Sequence, residues 1–202
     1  MKKFILALLA TAAMAMAESH THDGFFLNLA LGFGYQGFTY DANKAIYDME
    51  AKGVSTEFDL KLGGCIATNT LLHATILGVT NNSEIDYKTK GGKKQGSSSE
   101  ESENLSMLGI GLTYYLPENI FISGSVGFAQ FNLQDNSDED KDIEGATEKG
   151  LCVQIAAGKE WWVSDNWGIG ASASLLYGFA SNLRDTKESS LGITLRLSAT
   201  YN

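Results

Sequence analysis

One proline, two cysteines and three histidines are all that 202 residues hold of those types, and 15 Lys plus Arg face 24 Asp plus Glu. The shortage of base excludes nucleic acid as a partner, because phosphate recognition needs clustered Lys and Arg and the formal net charge here is −9. Long apolar runs are also missing. The only unbroken one, residues 4 to 17, covers about 14 positions, short of the roughly 20 that a membrane-crossing helix needs. No transmembrane helix is expected, and the length suits one domain of ordinary size or two small ones.

The start of the chain reads as an export address. Lys2 and Lys3 precede the apolar run FILALLATAA, and Ala15-Met16-Ala17 supplies a small-x-small cleavage site, the three parts of a secretory signal peptide over residues 1–17. No Cys follows the cleavage point, so a lipoprotein anchor is not expected. Residues 18–23 then form a short polar tail, and removing two lysines and no acid leaves the exported chain more acidic still.

From residue 24 onward the pattern has period two. In residues 24 to 38, Phe25, Leu27, Leu29, Leu31, Phe33 and Tyr35 occupy one face, with Asn28, Ala30, Gly32, Gly34 and Gln36 on the other. Residues 54 to 66 set Val54, Thr56, Phe58, Leu60, Leu62 and Ile66 against Ser55, Glu57, Asp59, Lys61, Gly63 and Cys65. The same division recurs at 105–116, 120–131, 150–163, 167–181 and 190–201; residues 70–80 carry Leu on both faces, so their phase is ambiguous. Eight strands of about ten residues or more fit tilted membrane crossings.

The connections predict how the strands are arranged. They run 39–53, 67–69, 81–104, 117–119, 132–149, 164–166 and 182–189, long and short in turn, as in an up-and-down barrel with tight turns at one end. Each short connection ends in Asn, at positions 69, 119 and 166, a residue that tolerates left-handed backbone. A soluble lipocalin-like barrel would alternate too, but its outer face would be Thr, Lys, Glu and Arg. Here the non-bulky face is Gly, Ala and Ser, which suits the bore of a narrow barrel. Aromatic residues gather near the strand ends: Phe25, Tyr114, Trp161, Trp167 and Tyr201 at one rim, Tyr35 and Tyr177 at the other, with Phe26, Tyr115 and Phe121 added to the first and Phe38 and Phe131 to the second. Two aromatic girdles are expected at membrane interfaces. The reading is an all-β fold, an eight-stranded antiparallel up-and-down transmembrane β-barrel over residues 24–202.

With its signal peptide, alternating strands and final strand LGITLRLSATYN, the chain resembles the OmpA/OmpX type of small outer-membrane β-barrel. The resemblance rests on pattern and implies an outer-membrane location in a Gram-negative-type cell, contact with outer-membrane lipid and lipopolysaccharide, and recognition by the outer-membrane assembly machinery. One departure is that Tyr201 is followed by Asn202, whereas members usually finish on an aromatic residue.

Several residues invite chemistry. Glu57, Asp59, Lys61, Glu160 and Arg196 fall on the inward face, where unpaired charge is costly, so a salt-bridged plug across the lumen is expected. His73 is the only histidine within a strand, and no Ser-His-acid set accompanies it in the sequence, so it is read as a lumen-lining residue and no enzymatic activity is expected. Cleavage after Ala17 would leave Glu18-Ser19-His20, a terminal amine with His third, capable of square-planar Cu²⁺ or Ni²⁺ binding with His22 nearby. A frayed tail is the plainer reading, and no metal or other cofactor is expected. The acidic stretch 132–149 opens like an EF-hand at Asp138, Asp140 and Asp142, yet has Ile143 where a Gly and Lys149 where a Glu would be needed, so that site is rejected. The stretch 81–104, low in complexity, is expected to be a flexible loop. Cys65 and Cys152 fall near opposite rims, so no disulfide is expected. The functional expectation is a structural or surface-interaction barrel with long external loops and a plugged polar lumen. A narrow pore for small solutes or amphiphiles is the alternative, and a lipid-modifying enzyme the third.

Overall fold

The computed structural model describes residues 20–42, 47–81, 83–90, 92–98, 101–135, 150–181 and 186–202. The expected signal peptide and the first residues of the tail lie outside them. Ten antiparallel strands are present: β1 (Phe25–Ala42), β2 (Tyr47–Ala67), β3 (Thr70–Asn81), β4 (Ile85–Thr89), β5 (Lys94–Ser98), β6 (Glu101–Leu116), β7 (Ile120–Asp135), β8 (Gly150–Trp162), β9 (Trp167–Ser181) and β10 (Thr186–Tyr201). Eight of them close a ring in the order β1-β10-β9-β8-β7-β6-β3-β2, sealed by pairing of β1 with β2. The remaining hairpin, β4–β5, hangs from the far end of β2.

Three tight connections and both described chain ends lie at one end of the ring, which we call the turn end. Asn69 (φ 57°) and Asn119 (φ 56°) adopt the left-handed backbone that their residue type tolerates, and Glu118 (φ 62°) joins them. Asn166, expected to do the same, is not left-handed; its carbonyl accepts the Asn202 N–H at 3.0 Å.

At the opposite, loop end, the strands run further than the sequence suggested. Where 39–53 was expected to be a loop, β1 and β2 stay paired as far as Tyr40 and Met49, with β1 running to Ala42 and β2 starting at Tyr47. Within 81–104, expected to be flexible, β4 pairs with Tyr47–Ala51 of β2, taking over the edge that β3 leaves when it ends at Asn81. β7 continues to Asp135 and β10 begins at Thr186, shortening two further connections; residues 136–149, with Asp138, Asp140 and Asp142, are outside the described set.

A reversal of polarity explains why these extensions were missed. On β2, the outward residues from Val54 to Ile66 are mostly apolar and the inward ones include Ser55, Glu57, Asp59 and Lys61. Beyond Gly53 the outward residues become Asp48, Glu50 and Lys52, while inward Met49 and Ala51 are apolar. β1 reverses at the same level, from outward Phe33 and Tyr35 to outward Thr39 and Asp41, with Phe38 turned inside. The barrel is built as a lipid-facing protein along most of its length and as a water-facing one at its loop end.

The interior is therefore layered. A buried apolar core that includes Phe38, Leu77, Val79, Ile85, Leu105, Met107, Phe131, Cys152 and Leu176 fills the loop end. Phe26, Leu71, Tyr115 and Phe121 pack at the turn end, and polar side chains occupy the middle. Polar side chains are not confined to the middle: Gln36, Asn81 and Ser190 are buried toward the loop end, and Asn28, Glu160 and Thr200 toward the turn end. Phe26, Tyr115, Phe121, Phe38 and Phe131, assigned to the outer girdles from position alone, point inward, because their even or odd register places them on the lumen face of their strands. The ambiguous strand β3 sends Leu71, His73, Thr75, Leu77, Val79 and Asn81 inward.

Candidate functional site

The central layer of the lumen holds the densest chemistry. Alternation along β2 aims Glu57, Asp59 and Lys61 inward in succession, each nearly inaccessible to solvent. Arg196 reaches them from β10: its Nη1 donates to Asp59 Oδ2 at 2.6 Å and to Glu57 Oε1 at 3.3 Å, and its Nε donates to Ser172 Oγ at 3.2 Å. Lys61 Nζ lies 2.8 Å from Asp59 Oδ2. Two acids and two bases make a neutral quartet.

Gln154 ties this quartet to the opposite wall. Its Nε2 donates to Glu57 Oε1 at 3.0 Å, and its Oε1 accepts from Lys61 Nζ at 3.4 Å. In the ring order β2 and β8 stand four places apart among eight, so these bonds cross the full bore. Ser174 on β9 adds a hydroxyl donor to Glu57 at 3.3 Å. Gln154, Ser172 and Ser174 were not singled out from sequence. The available signal was an amide in the inward register of β8, between Cys152 and Ala156.

Glu160 does not join the quartet. It sits nearer the turn end of β8, where it accepts from Tyr115 Oη at 2.9 Å and from Thr200 Oγ1 at 2.5 Å. It shares a small cavity with Lys61 and Arg196, but no ion pair with either is found among the described residues. The five-charge plug expected from inward register is thus four charges with one separate carboxylate, because register along a strand also sets depth.

The outside of the ring is the reverse of its centre. Leu31, Phe33, Val54, Leu108, Ile110, Phe128, Leu195 and Leu197 are all more than 60% exposed, while Glu57, Asp59, Lys61 and Arg196 at the same depth of the ring are inside. A surface so apolar around a closed ring of strands is one that faces hydrocarbon. The fold is that of the small OmpA/OmpX-type outer-membrane β-barrels. Among solved structures, this barrel is similar to the outer membrane protease OmpT of Escherichia coli (10% identity, TM-score 0.51, covering 92% of this chain and 99% of that one). It is also similar to the outer membrane protein OprG of Pseudomonas aeruginosa (8% identity, TM-score 0.51, covering 90% and 98%). No family model matches the chain, and no curated protein matches it by sequence.

Around this barrel the outward-facing residues expected in aromatic girdles, Phe25, Tyr35, Tyr114, Trp161, Trp167, Tyr177 and Tyr201, lie toward the two ends of the apolar band. Trp167 and Tyr201 meet edge to face at 5.4 Å, with Phe25 6.3 Å from Tyr201, and Tyr114 and Trp161 are exposed at the same turn end. Tyr35 and Tyr177 are exposed toward the loop end, next to the polarity reversal. After Tyr201, Asn202 turns into the barrel mouth and is buried.

His73 lies inside the lumen toward the turn end, its ring 5.7 Å from that of Phe26. Its Nδ1 and Nε2 are each 3.0 Å from a hydroxyl, of Thr75 and Thr113 respectively, and these hydroxyls continue to Ser125 and Ser123. His20 and His22 serve the turn-end mouth: the His20 N–H donates to the Asp165 carbonyl at 3.0 Å, and His22 stacks on Tyr115 at 3.4 Å with its Nε2 3.3 Å from Asn119 Oδ1. Burial against these rings holds the His22 imidazole below its usual range. No cluster of three or more His, Cys, Asp or Glu suited to a metal occurs among the described residues. Cys65 and Cys152 are both free, the first at the turn end opposite Leu71, the second buried in the loop-end core.

Proposed function

We propose that this chain is a non-conducting barrel of a Gram-negative-type outer membrane, with both termini in the periplasm and a structural or contact role exercised at its outward loop end. The observation that carries this reading is the hydrogen-bonded link from Glu57 and Lys61 to Gln154, which spans opposite walls of an eight-stranded ring. With an apolar core above and an aromatic cluster below, it leaves solutes no wetted path. Outer-membrane lipid and lipopolysaccharide meet the apolar band, and the assembly machinery reads the final strand ending in Tyr201.

Lipid-modifying catalysis would need a nucleophile and base reachable from a rim. His73 is instead enclosed, with each ring nitrogen beside a threonine hydroxyl, and we read it as lumen lining. Planar-bilayer recording of the refolded chain tests the proposal: the expected trace is flat, and reproducible conductance steps in the unmodified protein would establish the narrow pore instead. Turnover of labelled lipid A, abolished by His73→Ala, would establish the enzyme.

A further inference from the structure

Residues 20–24, just ahead of β1, cross the turn-end mouth without joining a strand. Gly24 is tied to the end of β2, its carbonyl accepting the Cys65 N–H at 3.0 Å. His22 reaches the β6–β7 connection, its Nε2 3.3 Å from Asn119 Oδ1, and His20 reaches the β8–β9 connection, its N–H donating to the Asp165 carbonyl at 3.0 Å. In the ring order β7 stands four places from β1 among eight, so a segment that leaves β1 and meets the β6–β7 connection spans the opening. We propose that residues 20–24 are a strap that closes the turn-end mouth, latched by His22, and that the strap lifts away when His22 takes up a proton.

The latch is the strap's one buried residue: His22 is 5% exposed, whereas His20 and Asp23 are open to solvent. Its ring lies flat on Tyr115, centroids 3.4 Å apart and planes at 9°, with the Trp162 ring 5.2 Å away. The strap lacks the ladder that holds β1 to β2 and β10, so it opens more easily than they do. Released, it uncovers the ring face of Tyr115 and the small cavity behind it, which Phe26, Glu160, Lys61 and Arg196 border.

The groups around the imidazole set the direction of the switch. Asn119 and the Asn202 side chain offer neutral amides. Glu118, next to Asn119, turns to Lys159 at 3.3 Å, and Glu160 lies beyond the Tyr115 ring, accepting its hydroxyl at 2.9 Å. Asp165 holds His20 through its backbone carbonyl. Asp23, on the strap itself, is exposed and accepts the Thr21 hydroxyl at 2.7 Å. Burial outweighs the pull of Asp23, so the docked ring is held neutral, and a proton favours the solvated, undocked strap. The inference concerns the turn end alone and holds whichever side of the membrane that end faces.

The test places a nitroxide at position 21 through Thr21→Cys with Cys65→Ser, the buried Cys152 staying unlabelled, in protein refolded into lipid vesicles. Electron paramagnetic resonance line shapes are followed across the imidazole range, about pH 8 to about pH 4.5. The label should be immobilised at the alkaline end, and the ratio of mobile to immobilised label should rise by up to about tenfold per pH unit below about 6.5. His22→Phe, which keeps a ring on Tyr115 but takes no proton, should stay immobilised throughout, and His22→Ala should be mobile throughout. His20→Ala, whose backbone N–H still reaches Asp165, should respond to pH as the parent does. Unboiled gel mobility checks that each variant is a folded barrel. A parent line shape independent of pH, the parent's response retained in His22→Phe, or an immobilised label in His22→Ala would overturn the proposal.

Discussion

Arg196 is the residue whose loss the lumen should tolerate least. Its guanidinium contacts Asp59 at 2.6 Å and Glu57 at 3.3 Å, and all three side chains are nearly sealed from solvent. In Arg196→Ala the layer keeps two carboxylates against Lys61 alone, one uncompensated negative charge in a low-dielectric interior, and Ser172 loses its donor. Stranding one partner of a buried ion pair costs about 3–5 kcal/mol, a shift of about a hundred- to several-thousand-fold in the unfolding equilibrium. Urea unfolding in lipid vesicles, followed by the mobility difference between folded and unfolded bands, measures it. A paired change, Arg196→Met with Asp59→Leu, should recover most of the loss, since it leaves Glu57 balanced by Lys61. Conductance should stay near zero in the single variant, because the apolar core at the loop end is untouched. An Arg196→Ala barrel as stable as the unmodified one, or one that opens a large pore without loss of stability, would refute the reasoning.

Three further outcomes follow from the same geometry. Because burial lowers the folded-state pKa of His22 beneath the unfolded value of about 6.5, its docking at the turn-end mouth should be complete above pH 6.5 and lost as pH falls through the lower folded value, as protease access to residues 18–24 would show; His22→Ala should remove that pH dependence. Thiol labelling of the unreduced, folded protein should modify Cys65 readily and Cys152 only after unfolding, and finding neither thiol free would contradict the strand positions. A β-carbon at Gly111 would fall 2.5 Å from both His73 Cε1 and Ser125 Oγ, so Gly111→Val should cost about 1–3 kcal/mol, whereas Gly124→Ala, on the open lipid face, should be tolerated; equal effects in a melting assay would contradict the assigned faces.

The transmembrane strands were legible because lipid outside and a narrow bore inside impose opposite chemistries on alternate residues, as Leu29, Leu31 and Phe33 against Ala30, Gly32 and Gly34 show. Inward charges at 57, 59, 61 and 196 were legible for the same reason. Depth was not: nothing in the register of Glu160 announces that Tyr115 and Thr200 will hold it apart from the quartet. The loop-end strands were hidden by their polarity reversal, since Asp48, Glu50 and Lys52 read as loop until Met49 and Ala51 are seen to pack inward against Ile85 and Tyr87. The hairpin β4–β5 and the turn-end strap depend on contacts between segments distant in sequence, which no local window contains.

The most direct test of the account is a lipid-accessibility scan along β2, with single fluorescent labels read in vesicles against brominated lipid and against a water-soluble quencher. Lipid should quench labels at positions 54, 56, 58, 60, 62 and 66, and the aqueous quencher should reach those at 48, 50 and 52. Lipid quenching at 55, 57 and 59, or across 48–52, would contradict the inside-out barrel and the reversal of polarity at its loop end.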